Sequence, residues 1–284
     1  MTAYANLLPV AVEAVELARG LVRGRAPGVL TSKGDRDMAS QLDFAVEQAV
    51  RDFLGRATPG IGLIGEEQGA TGPDSELRWV LDPIDGTVNL VHGLPLFAVS
   101  LALVHSEHPV LGVIDLPLLD SRYTAVEGHG THVDGQLIQV SDTAHLIDAI
   151  VTIGDYAVGA GAQQKNELRL AVTTLLAGQV QRVRMFGTAA VDLAWLAHGR
   201  TDAMVVLSNN QWDMAAGVIV AREAGAVVVD LDGSPYTFGS RATIAANPYL
   251  IDQVLGLVEE CQAGAEGDEA GGERTTQPGQ DARP

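Results

Sequence analysis

Two aspartates, Asp82 and Asp85, stand three residues apart at the end of a short apolar run, Trp79 to Leu81, with Gly86 and Thr87 directly after them. The apolar run reads as a strand that stops at Pro83, which has no N–H to give to a sheet ladder. Asp85-Gly86-Thr87 then reads as the opening of a turn or helix, where glycine lets the backbone come close to a ligand and free N–H groups collect. Two carboxylates beside such N–H groups suit cations and a phosphate together. Taken alone, the stretch is equally a helix cap or a nucleophile loop.

Other acids follow the same plan. Glu66 comes after the apolar run Ile61 to Ile64, within Gly65-Glu66-Glu67, where the plainer reading is a solvated loop. Asp213 lies in Asn210-Gln211-Trp212-Asp213-Met214-Ala215-Ala216-Gly217, where the plainer reading is an N-cap. Asp43 falls in the first turns of a helix, where a carboxylate also suits the positive helix end. Glu66, Asp82, Asp85 and Asp213 form a hard-oxygen set with neither cysteine nor a convincing histidine, pointing to Mg²⁺ or Mn²⁺ rather than zinc. His92, His105, His108, His129 and His132 have no zinc spacing and read as loop or surface residues. Haloacid-dehalogenase-type phosphatases also run an apolar strand into Asp, but their two aspartates are two residues apart. The three-residue spacing here favours metal ligation over an aspartyl-phosphate.

The elements that must position these residues fall into two patterns. Helices are expected over residues 3 to 23 (Leu8, Val12, Val15) and from Asp43, with Phe44, Val46, Val50, Phe53 and Leu54 as the apolar face. Strands at Phe97 to His105, Val110 to Leu116 and Arg122 to Val126, with an Asp134-Gly135 hairpin turn, make an antiparallel region. From about Asp142 strands and helices alternate, the signature of an α/β layer arrangement. The helices there are expected at Asn166 to Leu176, Thr188 to Ala197, Asp213 to Ala224 and Pro248 to Glu260. The resulting division is 1–142, an α+β part with the antiparallel sheet and metal site; 143–263, an α/β part; and 264–284, an acidic tail expected to be disordered.

Composition excludes some partners. With 36 acidic against 18 basic residues, a net charge of −18 argues against a nucleic-acid backbone as the main partner, whereas a small phosphate ester remains compatible if metal ions invert the local field. No apolar run reaches the roughly 18–20 residues of a membrane span. Glu13 and Glu16, with no early basic cluster, do not look like a signal peptide. A single cysteine, Cys261, forbids an intramolecular disulfide, and the expectation is a cytoplasmic protein.

Leu81-Asp82-Pro83-Ile84-Asp85-Gly86-Thr87 with Asn89 resembles the first signature of the inositol monophosphatase family. Trp212-Asp213-Met214-Ala215-Ala216-Gly217, followed by Glu223-Ala224-Gly225-Ala226, resembles the second. Gly65-Glu66-Glu67, Lys33 with Asp37 and Asp43, and Gly187-Thr188-Ala189-Ala190 match further segments in order, so the resemblance covers about residues 5 to 255. It implies a layered αβαβα sandwich of the inositol monophosphatase and fructose-1,6-bisphosphatase type, usually dimeric. The activity it implies is a Mg²⁺-dependent, lithium-sensitive phosphomonoesterase.

By position, Glu66, Asp82 and the Ile84 carbonyl would hold a first ion. Asp82, Asp85 and Asp213 would hold a second, and Glu66 would touch a third. Gly86 and Thr87 would bind the phosphate, and Asp43 and Thr87 would orient the attacking water with help from Glu66. Asp85, Asp213 and the Gly187-Thr188-Ala189 segment would contact the substrate. Inositol-preferring members carry a glutamate where this chain has Val206, and some have a histidine at Asn210. The alcohol is therefore open between inositol monophosphate and the fructose 1,6-bisphosphate, histidinol phosphate or adenosine 3′,5′-bisphosphate of relatives. A non-catalytic regulatory binding protein is the reading from a different class.

Overall fold

A computed structural model describes residues 4–34 and 37–271, without the side chains of 33–38 and 264–271. In chain order the elements are α1 (Leu8–Gly24), β1 (Leu30–Gly34), β2 (Asp37–Ser40), α2 (Gln41–Ala57), β3 (Gly62–Gly65), β4 (Gly69–Thr71), β5 (Leu77–Asp85), α3 (Thr87–Val91), β6 (Ala98–His105), β7 (His108–Leu116), β8 (Ser121–Val126), β9 (Thr131–Val133) and β10 (Gln136–Ile138). There follow β11 (Ile150–Ile153), α4 (Ala162–Gln179), β12 (Arg182–Arg184), α5 (Ala189–Ala197), β13 (Ala203–Val206), α6 (Gln211–Glu223), β14 (Val227–Val229), β15 (Thr243–Ala246) and α7 (Ile251–Gly271).

The strands form an eight-stranded sheet ordered β10-β9-β8-β7-β6-β5-β3-β4, a five-stranded sheet ordered β12-β11-β13-β15-β14, and a β1-β2 hairpin. The large sheet is antiparallel except where β3 runs parallel to β5. Side-chain alternation along the strands builds the layers. On β5, Trp79 and Leu81 pack with α1 and α2, whereas Val80 faces α5 and α6 on the other side. On β13, Met204 and Val206 join that same middle layer, whereas Ala203 and Val205 turn to α4 and α7. Two sheets and three helical layers result, the expected αβαβα sandwich. The Asp134-Gly135 turn is formed with both residues at positive φ, the geometry that matches strand twist.

The structure corrects several expectations. Strand β5 does not stop at Pro83 but runs to Asp85. Its register against β6 slips between Asp82 and Asp85, so Pro83 occupies a bulge that asks no ladder bond of it. Phe44 is 38% exposed, and the buried face of α2 carries Leu42, Asp43, Val46, Glu47, Val50 and Leu54 instead. Asp213 is not the N-cap of α6; Asn210 holds that place, three residues earlier. The last helix runs past Gly264 to Gly271. Residues 272–284 lie outside the described residues, as do the side chains of Lys33 and Asp37.

Candidate active site

The bulge in β5 turns successive residues of the strand end toward one cleft. Ile84 N donates to Asp82 Oδ1 at 2.9 Å, which fixes the Asp82 carboxylate against its own strand. Gly86 follows at φ 95°, and a side chain there would sit 3.1 Å from the Leu96 carbonyl. Glycine is therefore required both by conformation and by space. The α3 turn that starts at Thr87 has only five residues. It offers local N–H groups but little macrodipole.

Thr87 Oγ1 donates to Asp43 Oδ1 at 2.8 Å and lies 3.1 Å from the Ile84 carbonyl. Asp43 is fully buried, and its other oxygen accepts from Ser40 N at 2.9 Å in a capping box. The helix-stabilising and site readings of Asp43 are therefore both realised, one oxygen each. On the far wall, Asp85 Oδ2 accepts from Thr188 Oγ1 at 2.7 Å and from Ala190 N at 2.6 Å at the start of α5. Asn89 Nδ2 donates to the Leu96 and Phe186 carbonyls, tying the segment before Gly187 to the loop after α3. Asn210 Nδ2 reaches Asp213 Oδ2 at 3.0 Å.

Glu66, Asp82, Ile84, Asp85, Gly86, Thr87, Gly187 and Asp213 all line one cleft of about 830 Å³. Thr188 and Ala189 line a smaller cavity beside it, and Asp43 is reached through Thr87. The electrostatics report crowding. Burial, and then the charges of Glu66, Asp85 and Asp213, push the Asp82 carboxyl well above the ordinary range, and Asp82 and Glu66 share a hydrogen bond. Asp85 is pushed up to about 6, chiefly by burial, with the Ala190 N–H and Thr188 opposing. Buried carboxylates set against one another favour a proton or a cation. An all-oxygen set without thiol or imidazole fits Mg²⁺ or Mn²⁺. Among the described residues, no three such side chains are already close enough to enclose an ion.

Sequence reasoning missed three residues. Asp155 and Asp192 line the cavities, and Glu47 holds the Glu66 loop. Asp155 had a usable signal, since Gly154-Asp155 ends an apolar strand just as Gly65-Glu66 does.

A layered α/β sandwich with carboxylates gathered at strand and helix ends is the architecture of a metal-assisted phosphatase fold. The family model described as the inositol monophosphatase family matches residues 3–263. A probable inositol 1-monophosphatase ImpA of Mycobacterium tuberculosis is 39% identical over 238 residues, 84% of this chain and 87% of that protein. A fructose-1,6-bisphosphatase/inositol-1-monophosphatase of Aquifex aeolicus is 35% identical, over 81% of this chain and 85% of its own length. Among solved structures, the extragenic suppressor protein suhB of Bartonella henselae superposes with a TM-score of 0.84 at 34% identity, covering 90% of this chain and 99% of that one. This chain belongs to the inositol monophosphatase family.

Proposed function

We propose that the chain is a phosphoric monoester hydrolase acting on inositol monophosphate or a related small phosphate ester. The observation that carries this is the convergence on one cleft of Glu66, Asp82, Asp85 and Asp213, with the Thr87–Asp43 pair at its wall. It agrees with the phosphatase names of the Mycobacterium and Aquifex relatives. Two or three divalent ions, Mg²⁺ or Mn²⁺, would be held by Glu66, Asp82 and the Ile84 carbonyl and by Asp82, Asp85 and Asp213. When bound, such ions neutralise phosphate charge and make a water more acidic.

The chain's own residues do the rest. Gly86 and Thr87 present N–H groups to the phosphate. Asp43 accepts the Thr87 hydroxyl proton, which leaves the Thr87 oxygen lone pairs toward an attacking water and fixes its direction. Glu66 helps to orient that water. Attack runs in line, without a phosphoenzyme, in keeping with the three-residue spacing of Asp82 and Asp85, which favours metal ligation over an aspartyl-phosphate. Asp85 and Thr188, bonded to each other, form the wall on the alcohol side.

A homodimer in the cytoplasm, with no nucleic-acid or membrane partner, completes the proposal. It is supported by the family resemblance, the acidic composition and the single cysteine. Among the described residues, no helix is long and apolar enough to cross a membrane. The test is hydrolysis of inositol 1-phosphate with Mg²⁺. Activity is expected to disappear in chelator, return with Mg²⁺, and fall in millimolar Li⁺. Undiminished turnover in chelator sinks the mechanism.

A further inference from the structure

Glu66 sits on the turn between β3 and β4, and the two arms of that hairpin border a second cavity of about 220 Å³. Ile64 and Ala70, paired across the arms, line it, as do Arg78 on β5 and the loop from Gly72 to Ser75. Two glycines let that loop lie across β3. Gly72 takes φ 85°, and a side chain on Gly62 would begin 2.5 Å from the Pro73 carbonyl.

The cavity holds a cation without a counter-charge. Arg78 stands in register with Gly62 and is half-buried, and its Nε is shut off from solvent with no hydrogen-bond partner. Among the described residues it forms no ion pair, although acidic residues outnumber basic ones 36 to 18. Arg51, reaching β4 from α2, is by contrast engaged with Glu47, the Gly69 carbonyl and Thr71. In the loop, the Asp74 and Ser75 N–H groups have no acceptor among the described residues. The Asp74 carboxylate also lines the cavity, exposed and unpaired with Arg78.

A buried donor left unpaired is unfavourable until an acceptor completes it, and the planar guanidinium matches the oxygens of a carboxylate or phosphate. We infer that this cavity is a second anion site, separate from the phosphatase cleft, which takes a small oxyanion, phosphate or carboxylate, on Arg78 and the loop N–H groups. The occupant touches both arms of the hairpin, with Ile64 only two residues before Glu66, so filling the site changes turnover through the position of Glu66. Binding stands apart from the phosphatase reading, whereas the coupling to turnover rests on it.

A cleft of carboxylates without cations repels anions, so chelator confines anion uptake to the second site. The experiment is equilibrium dialysis of the chelated full chain against labelled inorganic phosphate and, separately, labelled malonate at fixed ionic strength. Wild type is expected to take up one anion per chain, and the tighter of the two names the natural class. Arg78→Gln is expected to weaken uptake at least about tenfold, and Asp74→Asn, which removes the lining carboxylate and keeps Arg78, to tighten it about twofold. With Mg²⁺ in excess and inositol 1-phosphate saturating, the tighter anion is expected to shift kcat at least about twofold in wild type and not in Arg78→Gln. No uptake of either anion by wild type, or uptake unchanged in both variants, overturns the site. Should Arg78→Gln fail to fold, uptake in Asp74→Asn that is no tighter than in wild type overturns it. Uptake through Arg78 with kcat unmoved overturns the coupling. A chain that binds the anion in chelator yet hydrolyses no ester in Mg²⁺ or Mn²⁺ sinks the phosphatase reading and leaves the site standing.

Discussion

Glu66 is held by a residue that lies outside the cleft. Glu47, on the buried face of α2, accepts from Glu67 N at 2.8 Å and Gln68 N at 2.9 Å, with Arg51 one turn on completing the carboxylate. The glycine before Glu66 makes room for this, since a side chain on Gly65 would overlap the Glu47 carboxylate. Gly65→Ala is therefore expected to destabilise the fold by about 2 kcal/mol, from overpacking and two displaced N–H partners. It is also expected to lower kcat, because Glu66 moves with the loop. Chemical denaturation and steady-state rates check it, and an unaltered kcat would free Glu66 from this support. The amphipathic template assigns a helical Glu to solvent, so the buried role of Glu47 was not legible. Glu66, Asp82 and Asp85 were legible because each stands at the end of an apolar strand, and Asp213 because it stands in the first turn of an apolar helix. Asp155 obeyed the same rule but lay outside the recognised motifs.

Elements set the distances between those ends. Helix α6 lies directly on the large sheet because Gly112 in β7 has no side chain: a Cβ there would meet the Ala216 carbonyl at 2.7 Å. Asp213 stands one turn upstream on the same helix, at its third position. Gly112→Ala must push α6 off the sheet, because a backbone carbonyl cannot swing aside. The expected cost is about 1–3 kcal/mol, read as a fall of several degrees in Tm. A higher Mg²⁺ requirement for activity should accompany it. Lost stability with an unchanged Mg²⁺ requirement would show that Asp213 does not depend on how α6 is seated. Most of the architecture was readable at this scale, because alternation in β6 to β8 and the strand–helix rhythm after Asp142 carry their own periods. The β5 boundary was not, since a Pro that ends a ladder and a Pro that sits in a bulge look alike until the partner strand is known. Phe44 was misplaced for a related reason. Apolar spacing names a stripe, but the capping of α2 by Ser40 and Asp43 decides which side turns inward.

Across the whole molecule, the acids shape stability as well as the site. Burial raises the carboxyls of Asp82, Asp85, Asp115 and Asp192 above their ordinary range, although Arg122 and Arg19 partly offset it at Asp115. A carboxyl raised in the folded state keeps its proton where the unfolded chain has already lost it. Folding then loses stability as pH rises from about 4 toward and beyond the folded value, which is about 6 for Asp85. His198 works the other way: burial lowers it, so its contribution is present above about 6.5 and is lost as pH falls through its folded value. One partly buried histidine stands against four acids in a chain of net charge −18. The acids should therefore dominate, and the chelated protein should melt at a higher temperature at pH 5.5 than at pH 7.5. Added Mg²⁺ should reverse the order, because cations bind the deprotonated carboxylates and stabilise most where protons compete least. Scanning calorimetry in chelator and in Mg²⁺ at the two pH values reads this directly. A chelated protein whose Tm rises steadily from pH 5.5 to 7.5 would mean that these carboxyls are already ionised in the fold, with their charges relieved from within the chain.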